Sequence, residues 1–97
     1  MTIQSFRDRA TEEFFRRDRL GKGVGWAGAA RVARRKLDVL DYADQLTDLR
    51  SPPGNRLEAL RGDWAGWYSI RINDQWRIVF RWSASGPTDV GIVDYHR

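Results

Sequence analysis

Two groups of polar residues in this sequence have side chains suited to phosphate chemistry. They are Arg71, Arg77 and Arg81 in the segment SIRINDQWRIVFRW, and Asp94, Tyr95 and His96 at the end of the chain. Guanidinium groups bind phosphate and stabilise the charge of a phosphorane, whereas histidine and tyrosine side chains transfer protons. The combination suits RNA cleavage, in which a base takes the proton of a ribose 2′-OH and an acid protonates the leaving 5′-oxygen. The sequence has one histidine, no cysteine and no cluster of carboxylates with metal-ligand spacing, so we expect no metal or other cofactor.

The same segment is typical of a β-hairpin whose two faces differ in polarity. A three-residue turn at residues 73–75 sets Ile72 opposite Trp76, because strand side chains alternate between faces. One face then holds Tyr68, Ile70, Ile72, Trp76, Ile78 and Phe80, and the other holds Ser69 and the three arginines. The apolar face must cover a helix, and Val90 and Ile92 of the last predicted strand extend it.

This register also places Arg71 directly across from Arg77, which is unfavourable unless an anion or a carboxylate lies between them. The arginine side, on which Tyr95 also falls, has two interpretations. It is either a solvated outer face neutralised by Glu58 or Asp94, or a surface that binds phosphate. We expect Arg77 to be exposed on this side rather than part of the core.

The first half of the chain predicts the elements that support the hairpin. Residues 3–6 fit a short first strand, and Thr11 fits the N-cap of a helix in TEEFFRRDRL. A longer helix is predicted over residues 29–49, and the prolines and glycine of SPPGN end it. Its apolar face is expected to consist of Val32, Val39, Leu40, Ala43 and Leu46. Between the helices, GVGWAG matches the nucleotide-binding pattern G-x-G-x-x-G, but no strand precedes it, so we interpret it as a helix-to-helix connection.

Length and composition predict one domain over residues 1–97. The charged start MTIQSFRDR is unlike a signal peptide, no apolar run approaches the ~20 residues of a membrane span, and the absence of cysteine suits a reducing cytosol. We therefore expect a cytoplasmic protein with no membrane contact. A net charge of +4, with ten of seventeen Lys and Arg residues in the first 36 positions, indicates a polyanionic partner such as RNA or the ribosome.

Two segments together resemble a known family. NRLEALRGDWAGWYSIRINDQWRIVFRW (residues 55–82) and the terminal DVGIVDYH (residues 89–96) are similar to the HigB (host-inhibition-of-growth, or plasmid-maintenance killer) toxins of the RelE-like superfamily. The resemblance implies an α+β fold, with two N-terminal helices packed on one face of a curved antiparallel β-sheet. It also implies a ribosome-dependent endoribonuclease that cuts mRNA, usually in the A site. A HigA-type antitoxin with a helix-turn-helix domain is the implied partner.

The resemblance assigns site residues position by position. The family's terminal aspartate, tyrosine and histidine, its W-R-I arginine and its basic residue before Gly-Asp fall on Asp94, Tyr95, His96, Arg77 and Arg61. Arg71 and Arg81 are expected to bind RNA together with Arg61. Tyr95 has the alternative role of stacking on a base, and His96 has the alternative of a frayed chain end without a role.

Some members of the family carry a histidine at the position of Glu58. The glutamate is either a base or an orienting group, or an ion-pair partner of Arg61 or Arg77, and in both cases the match of imidazole to neutral pH is lost. Trp67 and Trp82 are interpreted as packing at the edge of the core. Two functions from other classes stand beside the nuclease: a catalytically silent module that binds RNA or the ribosome, and a partner that only regulates DNA binding by its antitoxin.

Overall fold

The described part of the chain contains two α-helices and four β-strands, together with short 3₁₀ turns. The computed structural model describes residues 2–95. The helices are α1 (Arg9–Arg17) and α2 (Ala30–Tyr42), and the strands are β1 (Glu58–Ala59), β2 (Tyr68–Arg71), β3 (Trp76–Ser83) and β4 (Gly86–Asp94). The strands form one antiparallel, curved sheet in the order β1-β2-β3-β4. The predicted α+β architecture is confirmed. No helix among the described residues is long and apolar enough to cross a membrane.

The hairpin of β2 and β3 has the predicted register. Arg71 pairs with Arg77, and the Ile72 N–H donates to the Trp76 carbonyl at 3.0 Å, which leaves a three-residue turn. The Asn73 side chain accepts a hydrogen bond from the Trp76 N–H at 2.8 Å and so stabilises the turn. The alternation of faces argued from the sequence is therefore confirmed.

The core lies between the apolar face of the sheet and the two helices. Its fully buried side chains include Ile70, Ile78, Phe80 and Val90 from the sheet and Ala33, Leu37 and Leu40 from α2. Burial of each large apolar side chain contributes about 1.5–3 kcal/mol, so this layer supplies most of the free energy that holds the sheet in place. Ile92, as predicted, also faces the core.

Helix α2 ends seven residues earlier than predicted. Ala43 adopts extended backbone angles, and the Asp48 carboxylate accepts hydrogen bonds from the Asp44 and Gln45 N–H groups at 3.0 Å each. These bonds begin a separate 3₁₀ turn, Leu46–Arg50, because the carboxylate gives the backbone an alternative to helical bonding.

The buried face of α2 also differs from the predicted one. Its buried positions are Ala33, Lys36, Leu37 and Leu40, whereas Val32 and Val39 are only partly buried at the edge of the core. The actual face is rotated by about one residue, and it includes a lysine that a purely apolar pattern cannot contain.

Two details at the start of the chain differ from expectation. Asp8, not Thr11, caps α1, and its carboxylate accepts from the Thr11 N–H at 2.7 Å. Thr11 is buried instead, and its hydroxyl accepts from the Ile92 N–H of β4. Residues 3–6 do not form a regular strand; they run beside β4, joined by one parallel bridge between Phe6 and Val90.

The glycine-rich segment connects α1 with α2, as predicted. Gly25 packs against the indole of Trp76, and a Cβ atom at Gly25 would lie 2.9 Å from Trp76 Cη2. Gly23 has a φ of +73°, which favours glycine. Close packing and backbone conformation therefore account for these two glycines.

Candidate active site on the arginine face of the sheet

The face of the sheet opposite the helices, here called the arginine face, carries Arg71, Arg77 and Arg81. Part of this face is covered by other residues of the protein. Ser69 and Val79 on this face are fully buried, and Arg77 is 7% exposed. The segment before β2 contributes to this burial, since Arg77 donates to the Arg56 carbonyl at 2.6 Å. The expectation that Arg77 is exposed is therefore wrong.

Arg77 forms an ion pair with Glu58. Arg77 Nη1 lies 3.3 Å from Glu58 Oε1, and the Glu58 side chain is 35% exposed, so one partner reaches solvent and the other does not. Among the roles considered for Glu58, pairing with Arg77 is the contact observed. The ion pair also holds the guanidinium plane at a fixed place below the surface.

Arg71 is paired separately. Its guanidinium donates to the carboxylate of Asp74 in the hairpin turn. The repulsion between Arg71 and Arg77 is therefore offset by Asp74 and Glu58, each on a different side of the pair. Glu58 was predicted as a carboxylate that neutralises this side, whereas Asp74 was not predicted.

Tyr95 lies on the arginine face, as predicted from strand parity. Its ring centroid is 5.4 Å from Arg77 Cζ, and its N–H donates to the Gln75 carbonyl at 2.8 Å. Asp94 points the other way, because neighbouring residues of a strand alternate between faces. Its carboxylate accepts from the Gln75 side chain at 3.0 Å, which fixes the end of β4 to the hairpin turn.

Two concavities adjoin at Glu58 and Tyr95. The larger, of about 660 Å³, is also lined by Ala59, Leu60 and Arg61. The smaller, of about 340 Å³, is also lined by Arg56, Arg71, Asn73, Asp74 and Arg77. Both volumes fall in the range of small-ligand sites, roughly 300–1,000 Å³. Arg61, Arg71, Arg77, Glu58 and Tyr95 are thus brought together around one depression.

Three of the predicted site residues are not part of this depression as described. Arg81 lies four residues further along β3, with its guanidinium over the Trp67 ring at 5.7 Å. Asp94 faces away, and His96 lies outside the described residues. Among residues 2–95, no three His, Cys, Asp or Glu side chains come close enough together to hold a metal ion.

Sequence reasoning missed two contributors to this face. The Arg56 backbone, which has a φ of +46°, aims its carbonyl at Arg77. Arg7 reaches across the sheet and stacks over Trp64 and Trp67, at 5.1 and 5.7 Å from the ring centroids. No sequence periodicity links position 7 with positions 64 and 67, so only the fold brings them together.

The family model for HigB, described as a RelE-like toxin of a type II toxin-antitoxin system, matches residues 4–96. This chain belongs to the HigB family. Toxin HigB-1 of Vibrio cholerae serotype O1 is 42% identical to it over 77 residues, which cover 79% of this chain and 80% of that toxin. An uncharacterised protein of Haemophilus influenzae is 42% identical over 52 residues, 54% of this chain and 52% of that protein.

The fold has a counterpart among solved structures. A YoeB/ParE toxin from Agrobacterium tumefaciens superimposes with a TM-score of 0.55 and 22% identity, covering 99% of this chain and all of that chain. At this identity the similarity shows the fold alone. The resemblance to HigB seen in the sequence is confirmed by the family match, and a HigB toxin of a type II system has an antitoxin as its partner.

Proposed function

We propose that this HigB-family toxin is an endoribonuclease that cleaves mRNA in the A site of the ribosome without a metal ion. The observation that carries the proposal is the guanidinium of Arg77, held between Glu58 and the Tyr95 ring where two concavities of a basic face adjoin. A fixed cation beside a carboxylate suits phosphoryl transfer to a ribose 2′-hydroxyl, because the cation stabilises the phosphorane and the carboxylate accepts the proton.

The reaction follows from the roles of these groups. A base removes the proton of the 2′-OH, the oxygen attacks phosphorus, and the bond to the 5′-oxygen breaks as an acid protonates it. The products are a 2′,3′-cyclic phosphate and a free 5′-OH. Arg77 stabilises the charge of the phosphorane, and Arg61 and Arg71 bind the adjoining phosphates.

Glu58 and His96 are the proposed proton-transfer groups. Glu58 lines both concavities with a partly exposed carboxylate, which is placed to remove the 2′-OH proton. His96 follows Tyr95 directly and is proposed as the acid. Tyr95 packs on Arg77 and offers its ring to a nucleobase, and Asp94 anchors the strand end that precedes these residues.

We also propose the partners and the cellular location of the toxin. The substrate is mRNA on the ribosome, which places the toxin in the cytoplasm, and the antitoxin is of the HigA type with a helix-turn-helix domain. Arginines that line the depression supply the charge complementarity for RNA.

The decisive experiment is primer extension on cellular mRNA after induction of the toxin without antitoxin. Growth arrest with discrete new 5′ ends is the expected result. Arrest without new ends would support the silent RNA- or ribosome-binding module instead. Normal growth at a verified level of folded toxin would contradict both and leave the regulatory role.

A further inference from the structure

Two arginines and two tryptophans form a second cluster on the arginine face, here called the Arg–Trp cluster. Its members are Arg7, Trp64, Trp67 and Arg81. Trp64 and Trp67 meet edge to face, with centroids 5.1 Å apart. Arg7 lies over both rings, at 5.1 and 5.7 Å, and Arg81 lies over Trp67 at 5.7 Å.

The backbone is shaped to admit the Arg7 side chain. A Cβ atom at Gly91 of β4 would lie 2.4 Å from Arg7 Cγ, so only glycine leaves room for the arginine stem to cross the strand. Gly91 pairs with Val79, which lies on the same face as Arg77. The Arg–Trp cluster therefore lies on the same face of the sheet as the candidate active site.

The two arginines of this cluster form no ion pair within residues 2–95, although the Asp8 carboxylate lies beside the Arg7 stem at Gly91. By contrast, Arg77 and Arg71 each have a carboxylate within ion-pair distance. Both side chains belong to exposed residues. A guanidinium that lies over an indole still presents the N–H donors in its plane, and these match phosphate oxygens. The tryptophans therefore orient two cations whose donors remain available to an anion.

We infer that the Arg–Trp cluster binds the phosphate backbone of single-stranded mRNA on one side of the cleaved bond. The inference rests on the proposed function and extends it. Arg77 and Arg81 are four residues apart in β3, about 13 Å along a strand, so the cluster contacts a different nucleotide from Arg77. The cluster shares one face of the sheet with the candidate active site, and its positive charge complements the phosphates of RNA. Both points favour RNA over an acidic segment of the antitoxin. The antitoxin is kept as an outcome of the test.

The test compares two double variants that lose the same charge. One is Arg7→Gln with Arg81→Gln, and the control is Arg31→Gln with Arg50→Gln, two exposed arginines outside the cluster. The probe is a short, fluorescent 2′-O-methyl oligoribonucleotide, which lacks the attacking hydroxyl and stays intact. Fluorescence anisotropy gives its affinity at several salt concentrations, and thermal unfolding verifies that each variant is folded.

The cluster variant is expected to bind the probe at least tenfold more weakly than the parent. Its salt slope should fall by about 1.4, since each single-strand phosphate contact contributes roughly 0.7. The control should change affinity less and keep the slope of the parent. Equal effects of the two double variants would overturn the inference. Loss of antitoxin binding with an unchanged RNA slope would also overturn it and would assign the cluster to the antitoxin.

Primer extension with the parent toxin separates this inference from the proposed function. If the parent cleaves mRNA and the cluster variant binds the probe like the control, only the inference fails. If the parent does not cleave and the cluster variant alone loses RNA affinity, the proposed nuclease fails and the RNA-binding cluster stands.

Discussion

The guanidinium of Arg77 and the carboxylate of Glu58 meet at 3.3 Å across β2, which lies between their two strands. This contact gives Arg77 two roles at once. It closes a nearly buried ion pair that ties β3 to the short edge strand β1, and it presents a fixed cation at the base of the depression. Under the proposed function, a substitution of Arg77 is therefore expected to affect both stability and cleavage.

Arg77→Ala should reduce both stability and cleavage. Loss of the guanidinium leaves the Arg56 carbonyl and Glu58 without this donor, which we expect to lower the free energy of unfolding by about 1–3 kcal/mol. Cleavage should fall by about a hundredfold or more, because the phosphorane loses a fixed cation. Urea unfolding and primer extension measure the two effects, and Arg50→Ala is the exposed control. Cleavage at the parental rate by folded Arg77→Ala would place the site elsewhere.

Glu58→Gln separates proton transfer from ion pairing. Glutamine keeps the shape and a hydrogen-bond acceptor for Arg77 but does not accept a proton at neutral pH. If Glu58 is the base, the cleavage rate should fall by roughly a hundred- to ten-thousandfold while the variant stays folded. Quantitative primer extension, combined with thermal unfolding, gives the comparison. A rate within a few-fold of the parent would restrict Glu58 to its pairing with Arg77.

The hairpin could be predicted from the sequence because two local rules agree. Polar residues fill the turn, and only one turn length keeps Ile72 and Trp76 on the same apolar face. The alternation of side chains along a strand predicts the face on which Arg77 lies, but it does not predict which residues cover that face. The burial of Arg77 depends in part on Arg56, whose carbonyl accepts from it and which lies in a segment without a periodic pattern.

Other features depend on single contacts that neither periodicity nor motifs indicate. The early end of α2 depends on one side chain, Asp48, that bonds to backbone N–H groups. Arg7 and Trp64 are far apart in the sequence, and only the folded structure brings them into contact. Composition and motifs therefore indicate the family and most of the depression, whereas the extent of the basic surface requires the fold.

Gly25→Ala should destabilise the protein through Trp76. The added methyl would lie 2.9–3.0 Å from the indole of Trp76, tighter than ordinary contact. Because the indole of Trp76, the first residue of β3, packs against the core, we expect the free energy of unfolding to fall by about 1–3 kcal/mol. Gly28→Ala is the matched control, since nothing lies within 4 Å of a Cβ there. Equal unfolding midpoints for the two variants in urea would contradict this account of the glycine-rich segment.

A chain that stops at Tyr95 tests the role of His96. The core residues that the structure describes all precede Asp94, so we expect the shortened protein to unfold at a temperature close to that of the parent. If His96 is the acid, mRNA cleavage should fall by roughly a hundred- to ten-thousandfold. Co-sedimentation with ribosomes should persist because the arginines of the depression remain. A truncated protein that cleaves like the parent would show that Glu58 and Tyr95 carry the proton transfers.

Lys36→Met should change how stability depends on pH. Burial lowers the pKa of Lys36 from its usual 10.5, with smaller contributions from Arg35 and Arg71, although the ammonium donates to the Asn55 side chain. Between the lowered pKa and 10.5, the unfolded chain holds more protons than the folded one. The free energy of unfolding of the parent therefore rises with pH in this window.

The methionine variant lacks this titration, so the difference between the parent and the variant isolates it. At neutral pH the methionine removes a buried charge but also removes the donor to the buried Asn55 side chain, so the pH dependence of the difference is the diagnostic quantity. The parent should gain stability relative to the variant as the pH rises toward 10.5 and level off above it. Urea unfolding of both proteins over this range is the measurement, and a difference independent of pH would mean that Lys36 titrates alike in the folded and unfolded chains.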